Sequence, residues 1–107
     1  MSSLVKTHWN FLQLLISTSY SQRRRLIDSI TSGQLKAIVE IITNVLQKIV
    51  QIPTRFKPQL VTHRRVIRRI ADQTIELASK RKLVSRHVRI IVILLKAVFG
   101  KLKKLVA

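Results

Sequence analysis

The segment Arg64-Arg65-Val66-Ile67-Arg68-Arg69 holds the residues best spaced to do chemistry in this sequence. In a helix, positions i, i+1, i+4 and i+5 share one side, so its guanidinium groups face one way while Ile67 and Ile70 face the other. A guanidinium is a planar fork that grips phosphate oxygens in pairs. A second basic run, Lys80-Arg81-Lys82, is followed by Arg86 and Arg89, and smaller clusters stand at Arg23-Arg24-Arg25 and at Lys101, Lys103 and Lys104. Solvated faces often carry such runs, but they normally mix signs. Here 21 Lys+Arg stand against 4 Asp+Glu, a formal charge of +17, which reads as a polyanion footprint.

Other chemistry is harder to assemble. General acid–base work needs two carboxyls near one reacting bond. Of Asp28, Glu40, Asp72 and Glu76, only Asp72 and Glu76 are close in sequence, and both have arginines within helical reach, so pairing with Arg68 or Arg69 is expected. His8, His63 and His87 have no metal-ligand spacing. No G-x-S-x-G or S-x-x-K pattern marks a serine nucleophile, Gly33 alone cannot cradle a phosphate, and there is no cysteine. The expectation is a protein that is not an enzyme, with no metal, cofactor or small-molecule substrate. Base-specific readout is also weakly provided for, since only Thr62, His63 and Gln73 flank the arginine face. Trp9, Phe11, Tyr20, Phe56 and Phe99 mostly lie on apolar stripes, where core packing uses them up. Backbone binding without sequence preference is therefore expected, with double-stranded DNA favoured and affinity falling steeply with salt.

The charge must be carried by something folded. The hydrophobic fraction is 47% over 107 residues, too high for a disordered basic tail and suited to one domain spanning 1–107. Like-charge repulsion opposes compaction, so stability should rise with ionic strength or a bound polyanion. Residues 1–50 carry 6 Lys+Arg and 2 acids, and residues 51–107 carry 15 Lys+Arg and 2 acids. The first half thus reads as an apolar core and association half, with self-association into a homo-oligomer as one outcome, and the second as the basic half. The start does not read as a secretory signal, because His8, Asn10 and Gln13 break the apolar stretch after Lys6. The longest apolar run, Ile90–Leu95, is far short of the roughly 20 residues of a spanning helix, so no transmembrane segment is expected.

Two glycines and two prolines are few breakers, which favours an all-α fold, a compact bundle of four to five helices. Ser2 or Ser3 caps the first, with Leu4, Val5, Phe11, Leu12, Leu15 and Ile16 at helical spacing and Trp9 beside them. Ser19-x-x-Gln22 and Thr31-x-x-Gln34 read as capping boxes opening the second and third. The third helix, about 34–50, has the widest apolar face and is the expected centre. Pro53 and Pro58 bracket a connection, and Pro58 suits the first turn of the fourth, which presents Leu60, Ile67, Ile70 and Ala71 inward and ends at Gln73-Thr74. Ser79 is the expected cap of the fifth. Ile90–Leu95 is β-branched enough for a strand, yet Leu95, Val98, Phe99, Leu102 and Leu105 continue it as a cationic amphipathic helix. Its apolar face has three candidate occupants: the Leu35–Val50 helix, a second copy of the chain, or an anionic membrane surface.

The run Leu35-Lys36-Ala37-Ile38-Val39-Glu40-Ile41-Ile42-Thr43-Asn44-Val45-Leu46-Gln47, a proline-marked linker, Arg64-Arg65-Val66-Ile67-Arg68-Arg69-Ile70-Ala71-Asp72 and Lys80-Arg81-Lys82-Leu83-Val84 follow one another in that order. This order resembles small basic proteins encoded by invertebrate Polinton/Maverick elements and adintovirus-like DNA viruses, over roughly residues 20 to 87. It departs where those proteins often continue Gly-Gly-Phe-Leu and this chain has His87-Val88-Arg89-Ile90. The resemblance implies a late viral product, a virion core protein neutralising packaged DNA in the host nucleus or the virion. On the same resemblance, a capsid-associated or membrane-active virion protein is the alternative, and a protein-interaction adaptor is a third class.

Overall fold

The computed structural model describes residues 3–106, with side chains described as far as Lys104. Ser2, one of the two expected caps, and the Leu105 side chain lie outside the described residues. The described residues form α-helices and one short 3-10 turn, with no strand among them: α1 Ser3–Thr7, α2 Trp9–Ser17, α3 Tyr20–Asp28, α4 Ser32–Leu46, the 3-10 turn Thr54–Phe56, α5 Lys57–Thr62, α6 Arg64–Ala71, α7 Leu77–Arg86 and α8 Val88–Val106. The all-α expectation holds.

Eight α-helices replace the four to five expected because three expected helices are each interrupted at one residue, and that residue is a histidine every time. His8, His63 and His87 separate α1 from α2, α5 from α6 and α7 from α8, with φ of −103°, −106° and −125° and ψ of 19°, 19° and 36°. These lie in the bridge region, where ψ departs from the helical value and redirects the chain. Hydrogen bonding survives each break. His8 N–H bonds the Leu4 carbonyl and the His8 carbonyl accepts from Leu12, with matching pairs at Leu60–His63–Ile67 and Leu83–His87–Ile91. Redirection therefore leaves few orphaned backbone groups. At the first break the His8 ring lies against Gly33: a Cβ on Gly33 would stand 2.7 Å from His8 Nε2. A larger residue at Gly33 would have to displace the His8 ring.

Caps set several boundaries. Thr31 and Gln34 form the full reciprocal box, at 3.1 and 3.0 Å, while the Ser19 hydroxyl accepts from Gln22 N–H at 3.4 Å. Pro58 stands in the first turn of α5. Ser79 does not cap: α7 begins at Leu77, after Glu76 in extended conformation. Helix α4 stops at Leu46 rather than continuing to Val50. Lys48 adopts φ +60°, Ile49 N–H bonds the Asn44 carbonyl at 2.9 Å, and Lys48 N–H bonds that of Val45 at 3.1 Å. This is a Schellman ending, with lysine in the left-handed place that usually takes glycine.

The core draws on both halves of the chain. Val5, Leu12, Leu15, Ile27, Leu35, Ile38, Ile41 and Ile42 join Ile67, Ile70, Val84, Ile91, Leu94, Leu95, Val98 and Leu102 in one buried cluster. The first half therefore does not organise the core alone, contrary to what charge and apolar content suggest. Helix α4 lies at the centre as expected, with Leu35, Ala37, Ile38, Ile41 and Ile42 fully buried, and it shares that place with α8. Helix α4 packs mainly against α1 and α6, whereas α8 meets α2, α3, α5, α7 and the 3-10 turn. Ile90, Ile91, Val92, Leu94, Leu95, Ala97 and Val98 are all buried, and the exposed residues described on this helix are Arg89, Lys96, Gly100, Lys101, Lys103 and Lys104. The chain itself thus covers the apolar face of α8. Trp9 stacks on Phe99 near its end, ring centroids 4.5 Å apart. Among the described residues no helix is long and apolar enough to cross a membrane. The Cα radius of gyration is 12.6 Å. About 13 Å is expected for a folded chain of this length, so compaction is complete despite the charge.

Candidate nucleic-acid interface

Helix α6 presents its arginines as the spacing predicts. Arg64, Arg65, Arg68 and Arg69 are exposed, while Ile67 and Ile70 are buried against the core and Val66 is half-buried. The face is flanked by cations from other elements. Arg64 and Arg68 share a shallow pocket of about 290 Å³ with Lys48 and Lys57. Asp72, just past α6, does not pair with Arg68 or Arg69 as expected. Its carboxylate accepts from Thr74 N–H at 2.9 Å and from the Thr74 hydroxyl at 2.7 Å. Those bonds, the backbone one first, with a smaller contribution from Lys80, hold its pKa below the ordinary value of 3.8.

The second basic cluster divides. Lys80, expected to contact phosphate, is only 7% exposed, with its charge near enough to Asp72 to act on that carboxylate, so it offers little surface to a phosphate. Arg81 is half-buried, bonded to the Ile30 carbonyl and, at 3.5 Å, to the Ser32 hydroxyl. Lys82, Arg86 and Arg89 are exposed.

The smaller clusters divide in the same way. Arg23 donates from Nε to the Leu15 carbonyl at 2.8 Å and from Nη2 to that of Ile16 at 2.7 Å, closing the last turn of α2. Arg24 bonds the Ser85 carbonyl near the end of α7 and pairs with Asp28 at 3.5 Å. Lys101 Nζ donates to the Gln51 carbonyl at 2.7 Å. Arg25, Lys103 and Lys104 are exposed. Helix C-termini carry unpaired carbonyls and partial negative charge, so they attract cations when carboxylates are scarce. Arg23 and Arg24 therefore join helix to helix, while Arg81 and Lys101 tie helices to the loops on either side of α4.

A cleft of about 680 Å³ opens between α3, α5 and the α7–α8 junction. Arg86 and Arg89, which the sequence nominated, meet Arg24 there, together with His63 and His87 from two of the helix breaks. Gln59 and Thr62 of α5, and Tyr20 at the start of α3, complete its polar lining. Of these the sequence brought up Thr62 as a flank of the arginine face and Tyr20 as an aromatic, whereas Gln59, Lys48 and Lys57 were missed. No local pattern marks them, because their neighbours in space are distant in sequence. Among the described residues no group of histidines and acids is placed to hold a metal ion.

Comparison with protein-family models, curated proteins and solved structures returned no match.

Proposed function

We propose that the chain is a non-enzymatic nucleic-acid-binding protein that neutralises phosphate backbone without reading sequence. The observation that carries this reading is the α6 face, where Arg64, Arg65, Arg68 and Arg69 are exposed together on a folded, anchored helix. Lys48 and Lys57 extend the field, and Lys82, Arg86 and Arg89 form a second exposed group. Fixed cations at several points release counterions from a duplex when they bind. The order of the apolar helix, proline linker and basic segments gives the reading its setting: a DNA-condensing core protein of a virus or viral-like transposable element, acting in the host nucleus or the virion. Mobility shift of duplex DNA, duplex RNA and single strands across a salt series tests it. The expected result is binding to duplex DNA whatever its sequence, weakening steeply as salt rises. A salt slope near zero would sink it.

One observation favours a second reading. Leu46 and Val61, the latter 57% exposed, line the same shallow pocket as Lys48, Lys57, Arg64 and Arg68, with exposed Ile49 in the adjoining turn. Apolar side chains ringed by cations suit an anionic membrane surface. This reading puts membrane contact at the α4–α6 edge, since the apolar face of α8 is buried. Co-sedimentation with phosphatidylserine vesicles, lost on Val61→Asp and absent with neutral vesicles, is the expected mark.

A further inference from the structure

We infer that the cleft between α3, α5 and the α7–α8 junction is a seat for one nucleoside monophosphate. Its volume of about 680 Å³ falls in the range of roughly 300–1,000 Å³ common to small-molecule sites, which admits a single nucleotide and excludes a duplex. Three features divide the work among chemically distinct parts of such a ligand.

Arg86 and Arg89 flank the His87 break, and Arg24 of α3 joins them in the lining, so three guanidinium-bearing residues from separate elements border one space. No acid lines the cleft. One Arg24 nitrogen pairs with Asp28 at 3.5 Å and another bonds the Ser85 carbonyl, so Arg24 is held in place at the wall. A compact dianion is the ligand group that such a wall recognises.

The floor is different. Val88, Ile90 and Ile93 supply apolar surface, and Tyr20, 66% exposed, stands at the rim with its ring open to stacking. A bare phosphate would leave that surface unused. A flat heterocycle uses both, packing on the aliphatic floor beneath an aromatic edge. The Gln59 amide, also in the lining, offers a donor and an acceptor for a base edge or sugar. The Thr62 hydroxyl donates to the Pro58 carbonyl at 3.0 Å, which leaves its oxygen as an acceptor.

The ligand can come from two sources, a free nucleotide or an unpaired nucleotide at a strand end, and only the second rests on the proposed nucleic-acid binding. Calorimetric titration of the full chain with adenosine 5′-monophosphate, adenosine, inorganic phosphate, a 5′-phosphorylated single strand and a blunt unphosphorylated duplex tests the assignment. Adenosine 5′-monophosphate is expected to bind at least tenfold more tightly than either adenosine or phosphate. The double variant Arg86→Ala/Arg89→Ala should abolish that binding. Tyr20→Ala should weaken it about tenfold, as removal of one stacking ring does, and leave phosphate binding unchanged. Tyr20 is exposed, so this variant reports on the cleft even if the double variant proves unstable. Tighter binding of the phosphorylated strand assigns the seat to strand ends, and tighter binding of the mononucleotide assigns it to the free ligand. Equal affinity for phosphate and mononucleotide, or indifference to Tyr20→Ala, overturns the proposal. Duplex binding that persists alongside such a failure would leave the α6 reading standing. Mononucleotide binding with no affinity for polymers would do the reverse.

Discussion

The cations of α6 and those of the helix joints are the same residue types put to opposite uses. Arg64, Arg65, Arg68 and Arg69 project from a helix whose other side is buried, and they face solvent. Arg23, Arg24, Arg81 and Lys101 reach backbone carbonyls of other segments and tie α2 to α3, α3 to α7, α7 to the loop before α4, and α8 to the loop after it. The difference lies in what stands within reach. A surface helix with apolar residues only beneath it leaves its arginines outward. An arginine near the end of another helix finds carbonyls without hydrogen partners. Net charge alone therefore overstates the surface available to a polyanion.

The largest effect should come from the exposed set. Reversing Arg64, Arg65, Arg68 and Arg69 to Glu is expected to lower duplex affinity roughly hundredfold or more at low salt. The salt slope should flatten by about 0.9 for each phosphate that is no longer neutralised. Circular dichroism should stay helical, and unchanged affinity would show that the wrong face was chosen. Next comes the joint set. Arg81→Ala should cost about 1–3 kcal/mol in denaturant unfolding, the usual loss when a charged hydrogen bond is removed and its buried partner is stranded. Duplex affinity should move only a few-fold. If Arg81→Ala weakened binding and spared stability, the division between the two sets would collapse.

Gly33→Ala should change stability by no more than about 1 kcal/mol, because the helix propensity gained in α4 offsets displacement of the His8 ring. Binding to duplex should be untouched. Lys48→Gly should stabilise by about 1 kcal/mol, since it relieves a left-handed lysine. It also removes a cation beside Arg64 and Arg68, so a small loss of DNA affinity alongside a higher melting temperature would place Lys48 in the exposed set. The smallest effect concerns Asp72. Its folded pKa is depressed, so its contribution to stability is present above the unfolded value near 3.8 and lost as pH falls through the lower folded value. Asp72→Asn should therefore be slightly less stable than the parent at neutral pH, and the gap should close in acid.

The exposed set was legible in the sequence and the joint set was not. The i, i+1, i+4, i+5 spacing with Ile67 and Ile70 is a local pattern, and local patterns survive folding when one face is buried. Thr31-x-x-Gln34 was legible for the same reason. The partners of Arg23 are carbonyls eight and seven residues away, and that of Arg81 is 51 away, set by packing rather than spacing. The three histidine breaks had no signal, because histidine is neither a strong helix former nor a breaker. The end of α4 was missed because lysine stands where glycine would have marked it. The cleft assembles Tyr20, Gln59 and Arg86 from three helices, so only the fold could place them together.

Helix α8 has a consequence for how the chain comes to be folded. It packs against α2, α3, α5 and α7, yet it follows all of them in chain order. During synthesis, α2, α3, α5 and α7 leave the ribosome before the surface they pack on exists. The earlier helices can pack on one another, but the apolar surface they turn toward α8 stays uncovered until that helix emerges. The cations already present keep neighbouring nascent chains apart over that interval. The same charge that suits a polyanion thus protects the unfinished protein from its own hydrophobic faces.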